Sequence, residues 1–370
     1  MKIAITADWH LRGKDLAEAS AQLGAFVAEC VARKVELVAV AGDVFDESTI
    51  HDSRAGTGAV GKVLTATLTA LDKANIPQVM IAGNHDASGA GQADALHVLD
   101  GRPMLTILRG GGGFAVADFG AVEIIGVPWR WADPADAEPT IARAISERPD
   151  WGNVSAATLF LSHIQIVGGR MAGSHTCSTR GEWRASRACL DALDDDHIAL
   201  GDFHARQDLT GGRGGYVGAL RQLNFGEEGN PAGFEVWDSE SGAVEWVELD
   251  AAPRYRTVEV GPGDLDYLPP EAGENERLRV RYVGHDTFPM EDIKRLEADG
   301  VQVEQIVERK ERVRRAEVRE GVVDSPHGLI DLWAENLNKA VDVPRMHRVF
   351  DLVTADSTAV AETEIEGVLL

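Results

Sequence analysis

Apolar runs that each stop at a metal-ligating side chain constrain this chain more than any other feature. Residues 3–7 run into Asp8-Trp9-His10, residues 35–40 into Gly42-Asp43, and residues 78–82 into Gly83-Asn84-His85-Asp86. Two stretches with helical spacing lie between them. The first, residues 15–33, puts Leu16, Ala19, Leu23, Phe26, Val27 and Cys30 on one stripe, and the second covers residues 58–74. Strand, helix, strand, helix, strand predicts right-handed crossovers and a mostly parallel core.

Beyond Gly110 the rhythm shortens. Apolar runs near residues 113–116, 122–126, 158–161, 198–200, 216–218 and 233–237 alternate with glycine turns, which predicts a second sheet packed on the first. Two of these runs also end on ligand-type residues, at Ser162-His163 and at Gly201-Asp202-Phe203-His204. Residues 168–187, rich in Gly, Ser and Arg, read as a surface loop. After Ala251-Ala252-Pro253 the pattern predicts strands at 255–260, 278–282 and 301–307, with a helix at 289–298 between the last two. The expected division is therefore a catalytic domain over 1–250, a small α+β domain over 254–308 and a helical segment over 309–370.

The ends of five strands deliver Asp8, His10, Asp43, Asn84, His85, His163, Asp202 and His204 to one sheet edge, where open α/β sheets form their binding crevice. Carboxylate, amide and imidazole donors without thiolate suit a hard to borderline divalent ion such as Mn²⁺. One aspartate can bridge two ions, and two ions about 3.5–4 Å apart can clamp both the attacking and leaving oxygens of an in-line phosphoryl displacement. A lone Asp-X-His is usually a turn, and so is a lone Gly-Asp. Five such ends in order, each after a strand, are hard to explain by turns alone.

Composition sets limits on the partners. The 370 residues carry 36 Lys plus Arg against 60 Asp plus Glu, a net charge of −24. That charge opposes a general affinity for polyphosphate surfaces, so any nucleic-acid contact must come from a local patch, bound metal or a partner. Three scattered cysteines exclude a disulfide scaffold and a cysteine zinc finger, and fit a reducing cytoplasm. The N-terminal apolar run meets Asp8 too early for a signal peptide, and no stretch is apolar enough to span a bilayer.

The series D-x-H, G-D, G-N-H-D, a lone H and then G-D-x-H resembles the calcineurin-like metallophosphoesterases. Asp8-Trp9-His10-Leu11, Gly42-Asp43-Val44-Phe45-Asp46, Tyr216-Val217-Gly218-Ala219 and Asn224-Phe225-Gly226-Glu227 further resemble SbcD-type DNA-repair nucleases. The resemblance implies an α/β/β/α sandwich of two facing mixed sheets with a small α+β capping domain. It also implies two divalent ions, with Mn²⁺ favoured and Mg²⁺ the other candidate. Asp8, His10, Asp43 and His204 would hold the first ion, and Asp43, Asn84, His163 and Asp202 the second, with Asp43 bridging. His85 would contact the scissile phosphate and assist the leaving oxygen, oriented by a carboxylate, Asp46 or Asp86. The family has histidine where this chain has Asp202, a shorter and charged ligand.

The implied activity is exonuclease and endonuclease hydrolysis of DNA beside an SbcC-type, SMC-like ATPase. The alternatives are a small-molecule phosphodiesterase or phosphatase of the same superfamily, or a non-catalytic scaffold. The family also dimerises through helices near the active face, a role open to residues 58–74. Ile330, Trp333, Leu337 and Val341 form an apolar helical stripe that either packs on its own domain or docks the ATPase. The basic run from Arg309 to Arg319 reads as a solvated helix face before it reads as a DNA contact. His51, His97, His175, His285, His327 and His347 lack the strand-end context, so surface or capping roles are expected of them.

Overall fold

The computed structural model describes residues 1–46, 57–87, 94–109, 113–130, 136–148, 157–171, 183–261, 273, 275–284, 288–307, 330–331 and 342–354. Residues Met1–Val307 form one compact unit and Glu308–Leu370 a second.

The first sheet has six strands. In spatial order they are β14 (Val244–Glu248), β13 (Gly233–Asp238), β1 (Lys2–Thr6), β2 (Leu37–Ala41), β3 (Gln78–Ile81) and β4 (Leu105–Ile107). The strands β1 to β4 run parallel, whereas β13 and β14 are antiparallel additions. The second sheet orders β11 (Gln207–Asp208), β12 (Gly214–Tyr216), β10 (His197–Gly201), β7 (Ala157–His163), β6 (Val122–Val127) and β5 (Ala115–Asp118). Its middle four strands are parallel and its two edges antiparallel, and a separate parallel pair joins β8 (Gln165–Ile166) to β9 (Arg184–Ala185).

Both faces of the central strands are covered, which is why they read as continuous apolar runs rather than alternating ones. Ile3, Ile5, Leu37, Ala39, Val79 and Ile81 of the first sheet meet Ile124, Leu159, Leu161 and Ala199 of the second in one core. The opposite faces pack on helices. Ala4, Val38, Val40 and Met80 lie against α1 (Leu16–Ala32) and α2 (Thr57–Lys73). Ile125, Phe160, Ile198 and Leu200 lie against α3 (Ala137–Ser146) and α4 (Arg187–Asp191). The result is the expected sandwich of two facing mixed sheets with helices outside.

A third sheet, all parallel, holds β15 (Arg254–Val260), β16 (Glu276–Gly284) and β17 (Gln302–Val307), with α5 (Met290–Ala298) crossing between the last two. Its core is Val260, Leu278, Val280, Tyr282, Phe288, Leu296 and Val301. The buried amide of Gln22 on α1 anchors it. Gln22 donates to the Leu220 carbonyl at 2.7 Å and accepts from the Ala252 amide at 2.8 Å. In the second unit, α6 (Val343–Thr354) is described, and His347 on it pairs with Asp331 at 2.9 Å. Of the apolar stripe only Ile330 falls among the described residues, and the basic run 309–319, His51, His175, His285 and His327 lie outside them.

One buried carboxylate burdens this fold. Asp195, just before β10, is 1% exposed, with Arg148 3.7 Å away as its charged partner. Burial outweighs that guanidinium and lifts its pKa to about 6. The ionised form is thus destabilised in the folded protein, fully above about pH 6, and the burden is relieved as pH falls toward the unfolded value near 4. Asp195→Asn should therefore stabilise the protein more at pH 8 than at pH 5, by about 1 kcal/mol. Thermal melts of both proteins at the two pH values check this. An equal effect at both would mean that Asp195 is ionised without penalty.

Candidate metal centre

Loops leaving the carboxyl ends of β1 and β2 continue side by side past the sheet. The Asp8 amide donates to the Gly42 carbonyl at 3.1 Å, His10 to Asp43 at 3.0 Å and Leu11 to Val44 at 3.0 Å. This keeps Asp8, His10 and Asp43 in fixed register. Asp8, His10, Asp43 and Asp202 all have positive φ, at 54°, 44°, 52° and 98°. Such angles cost a non-glycine residue on the order of 1 kcal/mol each and cluster at functional sites. Gly83 is required at its position, because a Cβ there would overlap the Asp43 carboxylate.

Asp86 fastens the third loop to the second. Its buried carboxylate accepts from the amides of Val44 at 3.2 Å, Phe45 at 2.9 Å and Gly83 at 3.0 Å. Burial and the nearby Asp43 charge still push its pKa up to about 7.

The ligand-type side chains expected from the sequence converge at this edge. His10 Nε2 and His204 Nε2 lie 3.1 Å apart. Asp43 Oδ2 sits 3.5 Å from His10 Nε2 and 3.5 Å from His163 Nε2, while its Oδ1 accepts the His85 amide at 2.9 Å. Asn84 Oδ1 is 3.0 Å from His163 Nε2, and Asp202 Oδ1 is 3.8 Å from the same atom. Asp8 Oδ1 accepts the Asp202 amide at 3.2 Å. Asp8, His10 and His204 form one cluster able to hold an ion, and Asp8, Asp43 and His163 form another. A third cluster joins His10, Asp46 and His85.

Two of the imidazoles are oriented from behind. His163 Nδ1 donates to the Ala41 carbonyl at 2.7 Å, and His204 Nδ1 donates to Glu227 Oε1 at 2.9 Å. Each bond fixes the tautomer that turns the Nε2 lone pair inward. Asp8 Oδ2 and Asp202 Oδ2 are buried without a hydrogen-bond partner. Buried carboxylate oxygens left unpaired beside converging imidazole lone pairs are expensive unless a cation satisfies them, so this donor set fits divalent ions. Protons compete for the same atoms. Burial opposes charge on His163, but Asp43, Asp8 and Asp202 push its pKa up to about 10, and Glu227 and Asp8 likewise bring His204 to about 9.

The orientation of His85 departs from the sequence expectation. Neither the Asp46 nor the Asp86 carboxylate touches its ring. Its Nδ1 donates to the Asp46 backbone carbonyl, and its ring stands edge-on to His10 with centroids 4.7 Å apart. The Asp46 carboxylate turns instead to His10 Nδ1 at 3.1 Å and Arg12 Nη1 at 3.4 Å. Burial pulls its pKa upward, but these two neighbours prevail and hold it at about 2.

Sequence reasoning also missed the role of Glu227, which lies 23 residues beyond His204 and shares no motif with it. It missed the buried guanidinium of Arg221 too, which donates to the His10 carbonyl at 3.1 Å while paired with Asp15 at 3.1 Å. His97 behaves as expected, bonding the Asp94 carbonyl at 2.7 Å on the surface.

The first three ligand loops lie within residues 1–129, and these residues match the family of calcineurin-like phosphoesterases. Residues 1–129 thus carry a calcineurin-like phosphoesterase domain. Among curated proteins, the phosphoesterase is similar to the SbcD subunit of the nuclease SbcCD from Rhodobacter capsulatus, 29% identical over 281 residues, spanning 66% of this chain and 68% of that one. Among solved structures it overlaps a dimetal phosphatase from Danio rerio at a TM-score of 0.38, with 11% identity over 64% of this chain and 91% of that one. It overlaps a hypothetical protein from Pyrococcus horikoshii at 0.34, with 12% identity over 67% of this chain and 87% of that one. Both superpositions are loose. No helix among the described residues is long and apolar enough to cross a membrane. The phosphoesterase family uses divalent metals, and the clusters above are the candidate ligands here.

The carboxylate behind His204 gives a direct test. Glu227→Gln keeps the shape but removes the charge that raises imidazole basicity, so Mn²⁺ affinity should fall about 10- to 100-fold. Calorimetric titration of the metal-free protein measures this. Unchanged affinity would mean that His204 does not bind metal.

Proposed function

We propose that this phosphoesterase hydrolyses the phosphodiester bonds of DNA with two divalent ions, Mn²⁺ being the best match to the donors. Asp8, His10, Asp43 and His204 hold one ion; Asp43, Asn84, His163 and Asp202 hold the other. The observation that carries this reading is the position of Asp43 Oδ2, equally far, at 3.5 Å, from an imidazole of each set. The ions, when bound, supply Lewis acidity and lower the pKa of water.

The chain's own groups do the rest. Asp43, whose pKa His163 holds well below the usual carboxylate range against the pull of burial, stays ionised as the shared ligand. His85 uses Nδ1–H on the Asp46 carbonyl, so Nε2 faces a phosphoryl oxygen, and in the imidazolium form its Nε2 proton passes to the leaving oxygen, leaving the ring neutral. Asp46 and Arg12 hold His10 in place.

DNA is favoured as substrate because the relative from R. capsulatus belongs to a nuclease. We further propose that residues 1–250 carry catalysis, 254–308 cap the site, and 309–370 dock an SbcC-type ATPase in the cytoplasm. The net charge of −24 favours a second reading, hydrolysis of a small phosphodiester. Plasmid and single-stranded oligonucleotide, compared with bis(p-nitrophenyl) phosphate under Mn²⁺, separate the two. Cleavage of the chromogenic diester with both nucleic acids intact would sink the nuclease reading.

A further inference from the structure

We propose that a cavity beside the metal cluster is a subsite for a nucleotide flanking the scissile phosphate; the proposal rests on the nuclease reading and names how that site recognises its strand. The cavity, about 390 Å³, is lined by Arg12, Lys14, Phe225, Tyr255 and Arg277 among others, with one carboxylate, Asp15, paired to Arg12 at 2.7 Å. Arg12 connects it to the metal centre. Arg12 Nη1 is 3.4 Å from Asp46 Oδ1, and that same oxygen is 3.1 Å from His10 Nδ1. The far wall is the outer face of the third sheet, where Tyr255 and Arg277 are register partners on β15 and β16.

The lining combines rings and cations. Phe225 and Tyr255 meet edge to face with centroids 4.9 Å apart; Arg279, which is outside the lining, covers a face of Phe225 at 4.5 Å, so Tyr255 is the ring offered to a base. Lys14 is exposed and makes no ion pair among the described residues. Arg277 is held by Glu18, but its side chain is 48% exposed, and an exposed pair contributes little and yields readily to a phosphate. A bare phosphate would need the cations and not the rings. A nucleobase would need the rings and not the cations. A nucleotide uses both, and stacking of a base on an aromatic side chain contributes about 1–3 kcal/mol. In a chain of net charge −24, this is the local patch through which a polyanion can approach.

The test uses the full chain with Mn²⁺ and two variants, Lys14→Ala/Arg277→Ala and Tyr255→Leu. Each is assayed on a labelled single-stranded oligodeoxynucleotide and on bis(p-nitrophenyl) phosphate, with folding checked by circular dichroism. For either variant the ratio of kcat/KM on the oligonucleotide to that on the small diester should fall at least about tenfold. Oligonucleotide binding by the double variant, followed by anisotropy in EDTA, should lose about 1.4 from its log–log salt slope, since two cations are removed. Folded variants whose two activities change in equal proportion, in a wild type that cuts the oligonucleotide, would overturn the subsite and leave the nuclease reading standing. A wild type that cuts only the small diester would overturn both.

Discussion

Asp43→Asn should lower hydrolysis by about a thousandfold or more, equivalent to roughly 4 kcal/mol of transition-state stabilisation, while the fold remains intact. The backbone tolerates the change, because asparagine accepts positive φ about as readily as aspartate and Asp43 sits at 52°. The amide oxygen can still accept the His85 N–H that Oδ1 now accepts at 2.9 Å. The amide nitrogen, however, would sit where Oδ2 stands 3.5 Å from both His10 and His163. There it donates toward imidazole lone pairs and offers no charge to either ion. Both ions should therefore be weakened together, and elemental analysis should find the variant depleted in metal. Near-wild-type turnover by a well-folded Asp43→Asn protein would defeat the two-metal reading.

His85→Ala should lower activity about 10²- to 10⁴-fold, the usual contribution of a positioned general acid, and should keep its metal. Only the His85 backbone amide touches Asp43, so removing the ring leaves that bond in place. The ring also belongs to a cluster with His10 and Asp46 that could itself hold an ion. The two roles predict different things. A leaving-group acid lost with full metal occupancy gives a slow enzyme; a ligand lost gives a metal-poor one. Loss of bound Mn²⁺ from His85→Ala, measured on the dialysed protein, would move His85 into the ligand set.

The convergence of the ligand-type residues was legible because each follows an apolar run, and parallel strands bring such ends to one edge. The helices α1 and α2 were legible for a similar reason, since their stripes are long and large. The helix α3 was not, because its buried face is Ala137, Thr140, Ile141 and Ala144, mostly small residues that leave a weak apolar period. The strand β14 lies at a sheet edge with Val244 exposed, so its pattern is diluted too. Within the site, what the sequence could not reveal was which atoms meet. A carboxylate was expected behind His85, and a backbone carbonyl is there. A carboxylate does stand behind His204, but it comes from Glu227, which arrives on a short turn capped by Asn224. Such contacts depend on how loops fold over one another, and residue type alone does not record that.

The carboxylate of Asp86 collects amide protons from two different loops, those of Val44, Phe45 and Gly83. Oδ1 is satisfied by Phe45 alone and Oδ2 by Val44 and Gly83 together, so freeing Phe45, or both of the others, leaves a buried oxygen unpaired. In hydrogen–deuterium exchange these amides should therefore behave as one cooperative unit, opening in a single event and slower than the neighbouring surface loops. Asp86→Asn, which can accept but carries no full charge, should speed the exchange of all three together. The rigidity of this edge is thus a shared property of two crossover connections, and a substitution in either one is felt by the ligands carried on the other.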